Sequence, residues 1–104
     1  MSELHAAYRF LKATAFHDIP LPRQIQLERK PLRKVWGYYY KKPVRIEIAS
    51  EIKTLDRLLR VMAHEMCHAA IDQGGACDTH DHGEAFKALA SVVCERMGWS
   101  QKGF

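Results

Sequence analysis

The chain has 104 residues, which is enough for one compact domain, and its hydrophobic content of 47% is that of a globular protein. No apolar run approaches the roughly 20 residues that a membrane-spanning helix needs, and the N-terminus lacks a secretory signal. Its three cysteines lack the paired spacing of a disulfide framework. We therefore predict one soluble, cytoplasmic domain over residues 1–104, a monomer that binds no membrane.

The net charge of +4 is concentrated in one part of the chain. The basic segment, residues 29–45, holds seven basic residues and no acidic one, which leaves a net charge of −3 for the remainder. Such a local patch can contact nucleic-acid phosphates.

The first predicted element is a helix from about Glu3 to Ala15, where apolar residues recur at helical spacing before Pro20. From Gln24 the pattern changes to period two, which predicts three short strands near residues 25–27, 35–40 and 44–48. A turn near Lys41 should join the last two strands. We predict that the three strands form an antiparallel sheet.

A long helix should follow, with Thr54 as its N-cap and Gly74-Gly75 as a left-handed end. Its apolar residues fall within an arc of roughly 120°, at about 100° per residue, and this side should face the core. They are Leu55, Leu58, Leu59, Met62, Met66, Ala69 and Ala70.

A third helix is predicted with Asp81 as its N-cap and Glu84 as the reciprocal partner. Gly98 should end it. Its buried stripe should comprise Phe86, Leu89, Ala90, Val93 and Met97. The predicted fold class is α+β: an N-terminal helix, a three-stranded antiparallel sheet, and two packed helices.

The second helix carries the motif His64-Glu65-Met66-Cys67-His68. The two histidines lie one turn apart and only ~40° apart around the helix axis, so both imidazoles can bind one ion. They also lie opposite the middle of the apolar arc. Glu65 lies ~100° from His64, beside the ligands, which suits a carboxylate that exchanges protons with water.

This pattern predicts a zinc peptidase that acts on a protein substrate. Zinc held by three protein groups keeps one position open for water and lowers the pKa of that water to about 7. An adjacent glutamate can accept the proton as the water attacks a carbonyl, and Glu65 would return it to the leaving amine. We therefore predict Zn²⁺ as the cofactor.

The third ligand is predicted to be His82, in the first turn of the third helix. It precedes Phe86 by four residues and should share its buried face. His80 is a competing ligand and Cys77 a weaker one, because both lie on the connecting loop. Glu84 is a further alternative, less suitable because it should cap the helix.

These motifs resemble the SprT-like family, which includes the DNA-dependent metalloproteases of the Spartan type. The matching parts are the strand Val44–Ile48, the metal motif His64–Ala69, and His82–Lys87, which corresponds to the family's His-Gly-x-x-Phe element. They extend over roughly the last two-thirds of the chain.

The resemblance implies a zincin-like fold and a zinc endopeptidase that cleaves proteins bound or crosslinked to DNA, as in DNA–protein crosslink repair. The implied zinc ligands are His64, His68 and His82, and the implied acid/base is Glu65. Several members carry a zinc ribbon after this domain, whereas this sequence stops at Phe104, just past the third helix. We therefore expect any DNA contact to come from the catalytic domain itself or from a partner.

The basic segment supports contact with single-stranded or distorted DNA independently of the family. Its charges are interleaved with a tyrosine run whose rings could stack on exposed bases. The alternative is a solvated hairpin whose tyrosines partly face the core, and Trp36 is predicted to lie in the core. The candidate DNA-binding residues are Arg29, Lys30, Arg33, Lys34, Tyr38, Tyr39, Tyr40, Lys41, Lys42 and Arg45.

Two other functions fit the sequence. One is a peptidase of the same chemistry that cleaves a specific regulatory protein without DNA. The other is a non-catalytic DNA-binding module with structural zinc, which would need a fourth protein ligand such as Cys77 or His80. Arg57 lies on the ligand side of the helix; we predict a solvent-facing charge there, with contact to substrate or phosphate as the alternative.

Overall fold

The structure is a computed structural model that describes residues 2–74 and 82–104. The predicted α+β class is confirmed. The elements follow the chain in the order α1 Glu3–Ala13, β1 Gln26–Lys30, β2 Gly37–Lys41, β3 Val44–Ala49, α2 Leu55–Gln73 and α3 Glu84–Met97. Within the described residues, no helix combines the length and apolar character that crossing a membrane requires.

The three strands form a mixed sheet, so the predicted antiparallel sheet is wrong. β3 lies in the centre, with β1 parallel on one side and β2 antiparallel on the other. Residues 31–36 connect β1 to β2, and between these two strands the chain leaves a gap that β3 occupies. The alternation of apolar residues could not reveal this arrangement, because side chains alternate with period two in both kinds of sheet.

The helices cover one face of the sheet. Ile46 and Ile48 of β3 are fully buried on that face, in a core shared with α1, α2 and α3. Burial of an aliphatic or aromatic side chain of this size stabilises the fold by about 1.5–3 kcal/mol. The largest fully buried side chains are Phe16, Leu11, Ile46, Ile48, Leu58, Met62, Met66, Val93, Cys67 and Cys94.

The predicted N-cap of α2 is confirmed. The Thr54 hydroxyl accepts a hydrogen bond from the Arg57 backbone N–H at 3.3 Å. Leu55 was predicted in the core arc but is 64% exposed, because the first turn of the helix extends beyond the packed core. At the other end Gly74 has a φ of −76°, which is right-handed and not the predicted left-handed conformation. Gly75 lies outside the described residues.

α3 begins at Glu84 with Gly83 as its N-cap, so the predicted cap position at Asp81 is wrong by two residues. Asp81 itself lies outside the described residues. The predicted end at Gly98 is confirmed, with a φ of +72° that favours glycine over every other residue. Phe86 and Val93 are buried on the stripe that faces the core.

Arg96 near the end of α3 fastens this helix to the segment that follows α1. Its guanidinium donates to both carboxylate oxygens of Asp18, at 2.7 and 3.0 Å, and to the Ala15 carbonyl at 2.9 Å. The hydrogen bond from Arg96 holds the pKa of the exposed Asp18 carboxyl below its ordinary value.

Candidate metal centre

Three histidine side chains converge between α2 and the start of α3. The Nε2 atoms of His64 and His82 lie 3.1 Å apart, and one ring nitrogen from each of His64, His68 and His82 lies within 4.8 Å of the other two. Two nitrogens bound to one tetrahedral zinc ion at 2.0–2.1 Å lie about 3.3 Å apart. The three imidazoles therefore fit a metal ion after a small adjustment of side chains.

His82 reaches this position from the loop and not from the first turn of α3, where it was predicted. It precedes the capping residue Gly83, whose extended backbone delays the start of the helix. Its ring still contacts Phe86, with centroids 4.6 Å apart. The predicted proximity to Phe86 is therefore correct, although the helical spacing from which it was inferred is not.

The ring of Phe86 packs against all three imidazoles. Its ring centroid lies 5.0 Å from that of His64, 4.6 Å from that of His68 and 4.6 Å from that of His82. A buried ring in this position limits the rotation of the imidazoles and keeps water from one side of the cluster. The sequence predicted Phe86 only as a core residue and as part of the family element.

The environment of His64 keeps its imidazole neutral. Burial, with a smaller contribution from positive charge on His68 and His82, lowers its pKa to about 4, while a hydrogen bond with the backbone of Phe104 opposes the shift. Neutral imidazole is the form that binds metal ions. His64 is therefore ready to act as a ligand at neutral pH without first losing a proton.

Glu65 is a buried carboxylic acid beside the histidines. Its side chain is only 6% exposed, and burial raises its pKa to about 8. Within the described residues no hydrogen-bond donor or cation pairs with it. Groups that exchange protons during catalysis need a pKa near the working pH, and a desolvated carboxyl group without a partner meets that need.

The backbone at the start of β2 passes directly over Glu65. A Cβ atom on Gly37 would lie 2.9 Å from Cγ1 of Val61 and 3.1 Å from both Cγ and Oε2 of Glu65. Only glycine allows this close approach without a shift of the neighbours. Nothing in the local sequence singled out Gly37, because the contact joins a strand to a helix far along the chain.

A cleft of about 600 Å³ opens beside His64 and Glu65. The residues around the start of β2 form one wall, the N-terminal half of α2 forms another, and the last residues of the chain complete it. The lining residues are Val35, Trp36, Gly37, Thr54, Asp56, Arg57, Arg60, Val61, His64, Glu65, Gly103 and Phe104.

Trp36 was predicted in the core, but 50% of its surface is exposed in this cleft. It precedes β2, and the guanidinium of Arg57 lies over its ring, 5.1 Å from the centroid. α2 packs on β2 itself, so Trp36, which precedes β2, remains at the rim of the cleft.

The structure neutralises much of the basic segment with acidic residues from elsewhere in the chain. Arg29 forms an ion pair with Glu3 of α1 and donates to the Ile52 carbonyl at 2.9 Å. Lys41 lies 3.8 Å from Asp72 of α2. Arg29 therefore serves the packing of the sheet against α1, and its predicted role in DNA binding loses support.

Two further basic residues gather around Glu47 on the sheet face that the helices leave open. Arg45 Nε and Lys30 Nζ lie 3.2 and 3.5 Å from its carboxylate. The hydroxyl of Tyr40 donates to Glu47 at 3.1 Å, and the ring of Tyr40 also lies 4.1 Å from the Arg45 guanidinium. These residues form an internal ion-pair network.

The tyrosine run divides between the two faces of the sheet. Tyr39 faces α2 and donates to Asp72 at 2.8 Å, while burial and that carboxylate raise its pKa above the ordinary value. Tyr38 is 51% exposed on the other face, with its ring centroid 4.9 Å from that of Tyr40.

Within the described residues Arg33, Lys34 and Lys42 are exposed and form no ion pair. Together with Tyr38, they are the candidate DNA contacts that the structure leaves open.

The alternative ligands His80 and Cys77 lie outside the described residues, so their positions relative to the site are not described. Glu84 lies in the first turn of α3 and does not belong to the group of side chains that could hold a metal ion. Cys67 is fully buried, and burial raises the pKa of its thiol.

Comparison with known proteins supports the resemblance inferred from the motifs. The model of the SprT-like family matches residues 4–102, so the match includes α1 and the first two strands as well as the metal motif. A search of curated proteins found no match. Membership of this family favours a metalloprotease-type domain, in agreement with three histidines that could hold a metal ion. The chain belongs to the SprT-like family.

Proposed function

We propose that this protein is a zinc-dependent endopeptidase, with His64, His68 and His82 as zinc ligands and Glu65 as general base and acid. The observation that carries the proposal is a buried carboxyl group that has no partner among the described residues and lies beside three converging imidazoles. Catalytic zinc sites commonly use three protein ligands, whereas structural sites use four. A purely structural site would also have no need of Glu65.

The chain's own residues account for the proton transfers of peptide hydrolysis. A zinc ion bound by the three histidines would polarise the substrate carbonyl and lower the pKa of water. Glu65 accepts the proton of the attacking water and then donates it to the nitrogen of the leaving amine. Burial raises the pKa of Glu65 to about 8, which favours the second step, and the positive charge of the ion favours the first.

We infer that the substrates are proteins bound or crosslinked to DNA, and that exposed residues of the basic segment contact the DNA. The family supports this inference, and so do the free cations Arg33, Lys34 and Lys42 and the exposed ring of Tyr38. Arg33 and Lys34 precede β2 and Lys42 follows it, so these cations flank a strand about 17 Å long. That distance can bridge several nucleotides.

A second candidate is a peptidase of the same chemistry that needs no DNA. The observation that favours it is the neutralisation of the basic segment, in which Glu3, Glu47 and Asp72 pair with four of the seven cations. Less positive charge means fewer phosphate contacts and weaker attraction to DNA.

The test uses one protein in two forms, free and crosslinked to single-stranded DNA, incubated with the zinc-loaded chain. We expect cleavage by the wild type and none by Glu65→Gln, with the crosslinked form cleaved faster. Equal rates for both forms would favour the DNA-independent peptidase. Equal cleavage by the wild type and Glu65→Gln, or no cleavage of either form, would contradict the proposed peptidase.

The DNA surface is tested separately with the double variant Arg33→Gln/Lys34→Gln. We expect weaker binding to a single-stranded oligonucleotide and unchanged cleavage of the free protein. Lys12→Gln, which removes one exposed charge from α1, is the control. If the double variant binds the oligonucleotide as tightly as this control does, the inferred contact is wrong.

Zinc content measured for the wild type and for His82→Ala tests the third ligand. We expect the variant to bind zinc at least a hundredfold more weakly, since loss of outer-shell partners alone costs about 10–100-fold. X-ray absorption of the zinc-loaded wild type should show nitrogen or oxygen neighbours only. A sulfur neighbour would indicate that Cys77 is a ligand and would support a structural site.

A further inference from the structure

Arg57 and Arg60 place two positive charges in the cleft beside the metal centre. They precede His64 at helical spacings of seven and four residues, so all three lie along one side of α2 and line the same cleft. The proposed hydrolysis of a peptide bond uses neither arginine.

The two arginines differ in what holds them. Arg60 donates to the Ser100 carbonyl at 3.3 Å, and its guanidinium lies 5.4 Å from the ring centroid of Trp99. Arg60 therefore helps to attach the C-terminal residues to α2. Within the described residues the guanidinium of Arg57 has no hydrogen-bond acceptor and no ion-pair partner, and it lies over the ring of Trp36. The cleft also contains Asp56, which forms no ion pair with Arg57.

The contact with Trp36 orients the guanidinium of Arg57. An aromatic ring under a guanidinium attracts the charge through its face and leaves the N–H donors at the edge free. Those donors form a planar fork that matches a carboxylate through two parallel hydrogen bonds. Arg57 is therefore arranged to bind a planar anion that enters the cleft.

The position of Arg57 along α2 indicates how far from the scissile bond the bound anionic group of a substrate would lie. Seven residues of helix separate Arg57 from His64, which is about 10.5 Å at 1.5 Å per residue. An extended peptide advances about 3.3 Å per residue, so this distance corresponds to about three residues from the scissile bond.

We propose that Arg57, supported by Trp36, is a specificity-determining residue that binds an aspartate or glutamate side chain about three residues from the scissile bond. This inference rests on the proposed peptidase function and narrows its substrates to proteins with an acidic residue near the cleavage site. A peptide is the favoured ligand because Arg57 shares one cleft with Glu65, where the substrate chain must pass.

The test uses fluorogenic peptides in which one glutamate is moved residue by residue along an otherwise neutral sequence, with glutamine and lysine at the same position as comparisons. For wild type we expect kcat/KM about tenfold higher with glutamate than with glutamine at one position, the low end of the range for charged hydrogen bonds. Arg57→Gln should abolish this preference, and Arg57→Glu should reverse it in favour of lysine. Arg23→Gln, an exposed arginine outside the cleft, should keep it.

The outcomes separate this inference from the proposed function. If the zinc-loaded wild type cleaves no peptide, or if Glu65→Gln cleaves equally well, the peptidase function fails. If cleavage depends on Glu65 but Arg57→Gln keeps the wild-type preference, only the role of Arg57 fails. Weaker binding of Arg57→Gln to a single-stranded oligonucleotide, with an unchanged peptide preference, would assign Arg57 to phosphate and overturn the inference. Equal zinc content and thermal unfolding midpoints must accompany each comparison.

Discussion

Two buried glutamates lie in this small domain, and their surroundings are opposite. Glu47 is 3% exposed and Glu65 is 6% exposed. Glu47 is surrounded by two cations and a tyrosine hydroxyl, whereas Glu65 has no partner within the described residues and lies beside the histidines. A buried carboxylate with partners is a structural ion pair. A buried carboxyl group without partners destabilises the fold, and a chemical use explains why such a group is present.

The difference arises from the strands and helices that carry the two residues. Glu47 lies in β3 on the face that no helix covers, where the long stems of Lys30 and Arg45 bury it while their charged ends stay near it. Glu65 lies in α2 under the backbone of Gly37, which offers no side chain that could pair with it. Burial alone therefore does not identify a functional acid; burial together with the absence of partners does.

The largest expected contrast is in catalysis. Glu65→Gln should lower kcat about 10²–10⁴-fold, the usual contribution of a general acid or base, because glutamine cannot exchange the proton. Glu47→Gln should keep wild-type kcat per folded molecule. The measurement is cleavage of one peptide by both variants at equal zinc loading. An equal loss in both variants would show that the two glutamates do not differ as proposed.

Stability should show the reverse contrast. Glu47→Gln leaves the partly buried cations Arg45 and Lys30 without their carboxylate, and we expect a loss of about 2 kcal/mol, below the usual 3–5 kcal/mol for a buried pair because Lys30 is half exposed. Glu65→Gln breaks no pair, so the metal-free variant should unfold at or above the wild-type midpoint. Urea unfolding of the metal-free proteins measures both. A larger loss for Glu65→Gln would contradict the comparison.

The close approach of β2 to Glu65 predicts a smaller effect at Gly37. In Gly37→Ala the new methyl group would meet Val61 at 2.9 Å and Glu65 at 3.1 Å, and we expect a loss of about 1–2 kcal/mol in stability together with lower activity. Gly74→Ala is the matched control, since its φ is −76° and a Cβ there would lie 3.4 Å from the nearest atom. Equal activity and stability in the two variants would show that the approach at Gly37 is not tight.

The smallest expected effect concerns an exposed carboxylate, Asp18. Its hydrogen bond from Arg96 lowers its pKa below the ordinary value of 3.8. Because the folded-state pKa is the lower one, the pair stabilises the fold above pH 3.8, and this stabilisation disappears as the pH falls through the lowered pKa. Asp18→Asn should therefore lower the thermal midpoint slightly at pH 7, and its difference from wild type should shrink as the pH falls below 3.8. A difference that persists at the lower pH would have another cause.

The sequence predicted features that depend on neighbours along the chain. The hydroxyl of Thr54 caps α2, Gly98 ends α3, and His64 and His68 lie one turn apart, because each of these relations involves residues three to four positions apart in one helix. The family element around His82 also identified the third histidine. Its helical placement was wrong, because Gly83 adopts an extended conformation that spacing alone could not predict.

Other features depend on residues that meet only after folding. β3 inserts between β1 and β2, which makes the sheet mixed, and strand periodicity alone does not determine this order. Distant acidic residues such as Glu3 neutralise the cations of a segment that has no acidic residue of its own. Local spacing determined the Thr54 cap of α2, the end of α3 at Gly98 and the pair of histidines. Tertiary contacts decided which charges are free, where Trp36 lies and that Glu65 is buried without a partner among the described residues.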